Sequence, residues 1–214
     1  AKTEAQLKSE YPTVDKTVAD DDQNGGSDAQ IGDKLKFTLT SKVPDLGEYE
    51  YFNFRFVDTL SKGLTLDESS IVVKIGEKTL TLSNDNLATG QYTVKTEGVA
   101  EPQGATKLTI TLKDLVKLAK ENSFTDIAAG DAITVTYSAA LNKDAAVGTD
   151  PDANNTNSAK VEWGTKSESD YDSSSKEDKT HTYAFDFKIK KIDDTAPTAN
   201  PLTDAEFQIK KSGE

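Results

Sequence analysis

Apolar and polar positions alternate with a period of two through most of this chain, the pattern of strands with one face buried. It is clearest over 51–60, YFNFRFVDTL, where Phe52, Phe54 and Phe56 share a row and Asn53, Arg55 and Val57 face the other way. The same alternation predicts strands over 12–19, 34–43, 71–75, 79–82, 92–94, 107–112, 132–141, 159–163, 180–192 and 205–210. Only 113–122, KDLVKLAKEN, has helical spacing, through Leu115, Leu118 and Ala119. The runs 20–28 and 144–157, rich in Asp, Asn and Gly, read as loops, and 165–179 as a solvated linker or long hairpin. Many strands with turn punctuation and one short helix predict an all-β sandwich. We expect one domain over 12–179, a leader from a preceding segment over 1–11, and the opening of a second domain over 180–214.

Three polar residues fall on rows that should be buried. Lys16 lies two residues from Val14 and Val18, Asp58 two from Phe56 and Leu60, and Asn157 two from Ala159 and four from Val161. An isolated buried charge is costly, so such groups neutralise, pair or react. In one reading Lys16 and Asp58 form a buried ion pair and Asn157 is a hydrogen-bonded strand-end residue. In the other, desolvation leaves the lysine as a neutral amine and the aspartic acid protonated. The amine then attacks Asn157 Cγ while Asp58 polarises the carboxamide oxygen, ammonia leaves, and a Lys–Asn isopeptide bond remains. Asn154 and Asn155 are near in sequence, but their offsets from the strand fit less well.

Composition narrows the function classes. The formal net charge is −12 and Arg55 is the only arginine, which argues against nucleic acid as a partner. Cysteine is absent, so neither disulfides nor thiolate metal sites occur, and methionine is absent too, which suits an oxidising setting. No apolar run approaches bilayer length, so no membrane contact is expected of this stretch. A start at Ala1 and an end at Glu214 lead us to expect a mature or excised piece of a longer protein.

The motifs PTVDK, IGDKLKFTLTSKVPD, FVDTLSKGLTL, ITVTYSAALNKDA and NSAKVEWG, in that order over 12–165, resemble the backbone pilins and wall-anchored adhesins of Gram-positive bacteria. The similarity is to their Ig-like domain of the collagen-adhesin A type. It implies an isopeptide bond between Lys16 and Asn157 with Asp58 as the catalytic acid, no cofactor, and a sortase substrate on the cell-wall-anchored, extracellular surface. Its partners would be neighbouring pilin subunits, with a host surface ligand as a further candidate. The tail FDFKIKKIDDTAPTANPLTDAEFQIKK resembles the first strands of a B-type domain, with Lys191 as its bond-forming lysine, left unpaired here because the glutamate and asparagine partners lie further on. The YPK motif of many backbone pilins reads EYPT at Glu10 to Thr13, and no LPxTG-like signal is present.

The favoured function is therefore a structural shaft or stalk module, with a ligand-binding adhesin domain as the alternative. Reaction on an outside substrate is not expected: His181 is the sole histidine, and no Ser-His-Asp spacing or phosphate loop is visible. Asp150, Asp152, Asn154 and Thr156 alternate like the start of a calcium loop. Asn155 replaces its glycine and Val161 its closing glutamate, which favours a plain polar loop and no metal.

Overall fold

The computed structural model describes residues 11–19, 26–84, 87–148 and 155–184. Within them two sheets pack face to face. The first runs β1 (Asp15–Val18), β3 (Lys34–Lys42), β9 (Ala132–Leu141), β5 (Leu64–Ile75) and β6 (Lys78–Thr79). The second runs β2 (Gly26–Ala29), β12 (Asp178–Ala184), β10 (Asn155–Gly164), β4 (Asn53–Leu60), β8 (Thr106–Leu112) and β7 (Tyr92–Gly98), with β11 (Ser173–Ser174) also on β10. All pairings between named strands are antiparallel except that of β12 with β2. The expected all-β sandwich is the observed fold.

Row parity decides what fills the space between the sheets. Leu35, Phe37 and Leu39 of β3, Phe54, Phe56 and Leu60 of β4, and Ile133, Val135 and Tyr137 of β9 are all buried. So are Ala159, Val161 and Trp163 of β10. Removing these side chains from water is the main favourable term holding the sheets together, at roughly 25 cal/mol per Å² of apolar surface.

Where sequence and structure differ, long-range contacts are the reason. The helix α1 is confined to Leu115–Leu118. Asp114 caps it, its carboxylate accepting from Lys117 N at 2.9 Å and from Phe52 N at 2.9 Å. Beyond it the chain proceeds by tighter turns, Glu121 N to Leu118 O and Phe124 N to Glu121 O, which carry Phe124 into the core. The end of the expected loop 20–28 becomes, with Ala29, the strand Gly26–Ala29, because β12 offers it a parallel edge. β10 begins at Asn155, four residues before the expected start.

The run 165–179 is folded back rather than extended away. Asn53 Nδ2 donates to Ser167 O at 2.7 Å, and the backbone oxygen of Asp170 sits 2.2 Å from where a Cβ on Gly164 would be. Only glycine leaves room there. The boundary expected between 179 and 180 falls inside β12, which pairs with β10 from Asp178 onward. Residues 1–10 of the expected leader 1–11, and 185–214 with Lys191 and the expected B-type strands, lie outside the described residues.

Candidate functional site

Lys16, Asp58 and Asn157 meet between the two sheets. Lys16 comes from edge strand β1, opposite Leu39 of β3. Asp58 and Asn157 come from neighbouring strands of the other sheet: Asp58 pairs with Ala159, and Asn157, two residues earlier, pairs with Leu60. That diagonal offset places both side chains on the inner face of the sheet. The inward rows read from the sequence are therefore the rows observed.

The contacts are close and shielded from water. Lys16 Nζ donates to Asp58 Oδ1 at 2.9 Å and to Oδ2 at 2.8 Å, and neither side chain is more than 1% exposed. The ammonium also lies 5.3 Å from the Phe37 ring centroid and 5.5 Å from that of Tyr137. Burial pushes the Lys16 amine below its ordinary range, opposed by the negative charge and hydrogen bond of Asp58 and by the charge of Asp178. Asp178, from β12, also accepts from Lys16 N at 2.6 Å and so ties the edge strand to the opposite sheet.

Tyr137 completes the site, and the sequence reading missed it. Its hydroxyl donates to Asp58 Oδ2, accepts from Lys16 Nζ at 3.1 Å, and accepts from Asn157 Nδ2 at 2.6 Å. Burial, then the neighbouring Asp58 charge, hold its phenol well above the usual tyrosine range, so it keeps its proton. The signal was present in AITVTYSAAL, where Tyr137 shares a row with Ile133, Val135 and Ala139. A phenol on such a row needs a partner inside the core.

The direct hydrogen bond expected between Asp58 and the Asn157 carboxamide is replaced by this bridge. Among the described residues, Asn157 Oδ1 is buried without a hydrogen-bond partner. Asn155 faces the same interior and is also buried, contrary to the expectation that its offset fits less well. Its polar atoms are occupied: Oδ1 accepts from Ala146 N at 2.8 Å, and Nδ2 donates to Ala146 O at 3.1 Å and Thr182 O at 3.0 Å. Asn154, Asp150 and Asp152 lie outside the described residues, while Thr156 is in β10. Among the described residues no group of three or more His, Cys, Asp or Glu side chains is arranged to hold a metal.

Residues 31–167 match the sequence family described as Gram-positive pilin backbone subunit 2, Cna-B-like domain. The chain belongs to this pilin backbone family. The description gives a Cna-B-like domain for a stretch whose motifs resemble the A type, so the two differ in sub-type and agree on the pilin. No curated protein sequence matches the chain.

Solved pilins share its fold. The 35 kDa C-terminal fragment of the major pilin GBS80 of Streptococcus agalactiae aligns with a TM-score of 0.58 at 24% identity, over 88% of this chain and 61% of that one. The T6 backbone pilin of serotype M6 Streptococcus pyogenes aligns with 0.56 at 21%, over 80% and 36%. BcpA, the major pilin subunit of Bacillus cereus, aligns with 0.51 at 18%, over 80% and 40%. This member of the pilin family thus spans between about a third and three fifths of the length of those chains.

Proposed function

We propose that this chain is a shaft or stalk module of a Gram-positive surface pilus, clamped by a self-formed isopeptide bond between Lys16 and Asn157. Its place would be outside the cell on a wall-anchored fibre, with neighbouring pilin subunits as its partners and sortase as the joining enzyme. No outside substrate is turned over. The observation that carries the reading is a lysine and an aspartate sealed together in the core, with an asparagine carboxamide one hydroxyl away.

The chemistry follows from that placement. Lys16 Nζ passes a proton to Asp58 along the 2.8 Å hydrogen bond, which leaves a neutral amine and a carboxylic acid in a site without bulk water. The amine adds to Asn157 Cγ, ammonia departs, and an amide joins β1 to β10. Because Asn157 Oδ1 has no partner in the unreacted arrangement, conversion of the carboxamide disrupts no hydrogen bond at that oxygen. The bond would link edge strand β1 covalently to the opposite sheet, and closing so long a loop stabilises the folded chain by roughly 5 kcal/mol. A fibre under tension gains most from such a link, since a strand cannot peel away without breaking an amide.

Intact mass tests this reading. The wild-type chain is expected to weigh one ammonia less than its sequence, and Lys16→Ala and Asp58→Ala chains to recover the full sequence mass. A wild-type chain at full mass would leave the buried ion pair as the account of Lys16 and Asp58.

A further inference from the structure

Among the described residues, Tyr137 is the one side chain whose polar atom touches all three residues of the site. The Asn157 atom it contacts at 2.6 Å is Nδ2, the nitrogen that has to leave as ammonia. We propose that Tyr137 is a catalytic residue of bond formation, a proton relay that carries a proton from Asp58 to Asn157 Nδ2 as the Cγ–Nδ2 bond breaks. This rests on the isopeptide reading above and adds to it the source of the leaving group's proton.

The need for a relay comes from geometry. Both Asp58 oxygens are engaged by Lys16 and Tyr137, and Asp58 makes no hydrogen bond to Asn157. Asp58 and Asn157 are fully buried and Tyr137 is 1% exposed, so bulk water does not reach the departing nitrogen. The hydroxyl is the only described group that bridges the carboxyl group and that nitrogen.

The protons balance along this path. Lys16 Nζ gives one proton to Asp58, and the neutral amine forms its bond to Cγ. At the resulting tetrahedral centre Nδ2 loses amide conjugation and becomes basic. The hydrogen-bond chain then reverses: the Tyr137 hydroxyl proton passes to Nδ2 while the Asp58 proton passes to the Tyr137 oxygen. The Cγ–Nδ2 bond breaks and neutral ammonia leaves. The new amide nitrogen, which still carries one proton too many, returns it to Asp58, which ends as the carboxylic acid. Tyr137 begins and ends as a neutral phenol, consistent with a buried hydroxyl that resists net ionisation.

A time course of intact mass on freshly synthesised chain, stopped by denaturation, tests the relay. Tyr137→Phe keeps the ring that stacks on Phe37 at 5.4 Å between centroids and removes only the hydroxyl. Loss of ammonia is expected to slow by about 10²-fold or more, the range of a lost general acid. A Tyr137→Phe chain that loses ammonia within a few-fold of the wild-type rate would overturn the relay and leave the isopeptide bond standing. A wild-type chain that never loses ammonia would instead overturn the bond itself. Should the Phe chain fail to fold, as judged by Trp163 fluorescence, a difluorotyrosine placed at 137 keeps the hydroxyl and makes it more acidic. The relay then predicts a pH–rate profile displaced to lower pH, and an unchanged profile would overturn it.

Discussion

Asn155 and Asn157 point into the same interior from one strand, yet Asn155 has both ends of its carboxamide hydrogen-bonded and Asn157 has a buried oxygen with no partner. On the proposed reading, Asn155 is the structural asparagine and Asn157 the reacting one. Asn155→Ala is therefore expected to keep the loss of one ammonia but to lower stability by about 1–3 kcal/mol, because it strands the backbone groups of Ala146 and Thr182. Asn157→Ala is expected to show the full sequence mass. Denaturant melts with intact mass on each variant check both, and an Asn155→Ala chain at full mass would move the reacting group.

Among the described residues, Asp58 holds the only carboxylate in hydrogen-bond contact with the Lys16 amine. Asp58→Ala should remove the cross-link and also leave a buried amine alone, a defect that by itself costs about 3–5 kcal/mol. Lys16→Met with Asp58→Asn removes the cross-link without the orphan charge. Denaturant titration should find the Asp58→Ala chain less stable than that double variant, and the reverse order would contradict a buried pair.

Stability against pH reads the state of Lys16 in a chain that cannot react. Burial holds its amine below 10.5, so between that lowered value and about pH 10 the unfolded chain binds more protons than the folded one. Stability contributed by this group therefore rises with pH across the window. Above about pH 10 the opposite sign enters through Tyr137, whose phenol ionises first in the unfolded chain. Asn157→Ala should gain stability with rising alkaline pH relative to the same chain carrying Lys16→Met and Asp58→Asn. A flat difference between the two curves would contradict it.

Two further positions test the surrounding frame. Glu97 of β7 stands opposite Lys107 of β8 and also meets Lys95, and hydrogen bonds from Lys107 and then Lys95 bring its carboxyl from 4.5 down to about 2. Titration followed by NMR should find Glu97 ionising near that value, whereas about 4.5 would show that the cluster does not persist in solution. At Gly63 a Cβ would lie 2.3 Å from Asn155 Oδ1 and 2.6 Å from Ala145 Cα. Gly63→Ala should cost about 1–3 kcal/mol in a thermal melt, as overpacked sites do.

Much of this was legible in the chain because strand periodicity is a local signal. The alternation in YFNFRFVDTL placed Asp58 on the row of Phe54 and Phe56, and PTVDKTVA placed Lys16 beside Val18, before any contact was known. Pairing is not local. Nothing around Gly26–Ala29 announces a strand, since β12, which it joins, lies more than a hundred residues away. Nor does a short-range pattern show that Asn155 is occupied by the loop at Ala146 while Asn157 is not. Tyr137 was hidden by its own bulk: an aromatic ring on an apolar row reads as core, and although its hydroxyl calls for a buried partner, which residues those are emerges only when the opposite sheet is in place.

The central claim is a covalent bond between two named atoms. Digestion of the purified wild-type chain and fragmentation of its peptides measures it directly. A single branched peptide should appear, containing Lys16 joined to Asn157 and lighter than the sum of its parts by one ammonia. Recovery of the Lys16 and Asn157 peptides separately, each at its unmodified mass, would contradict the account.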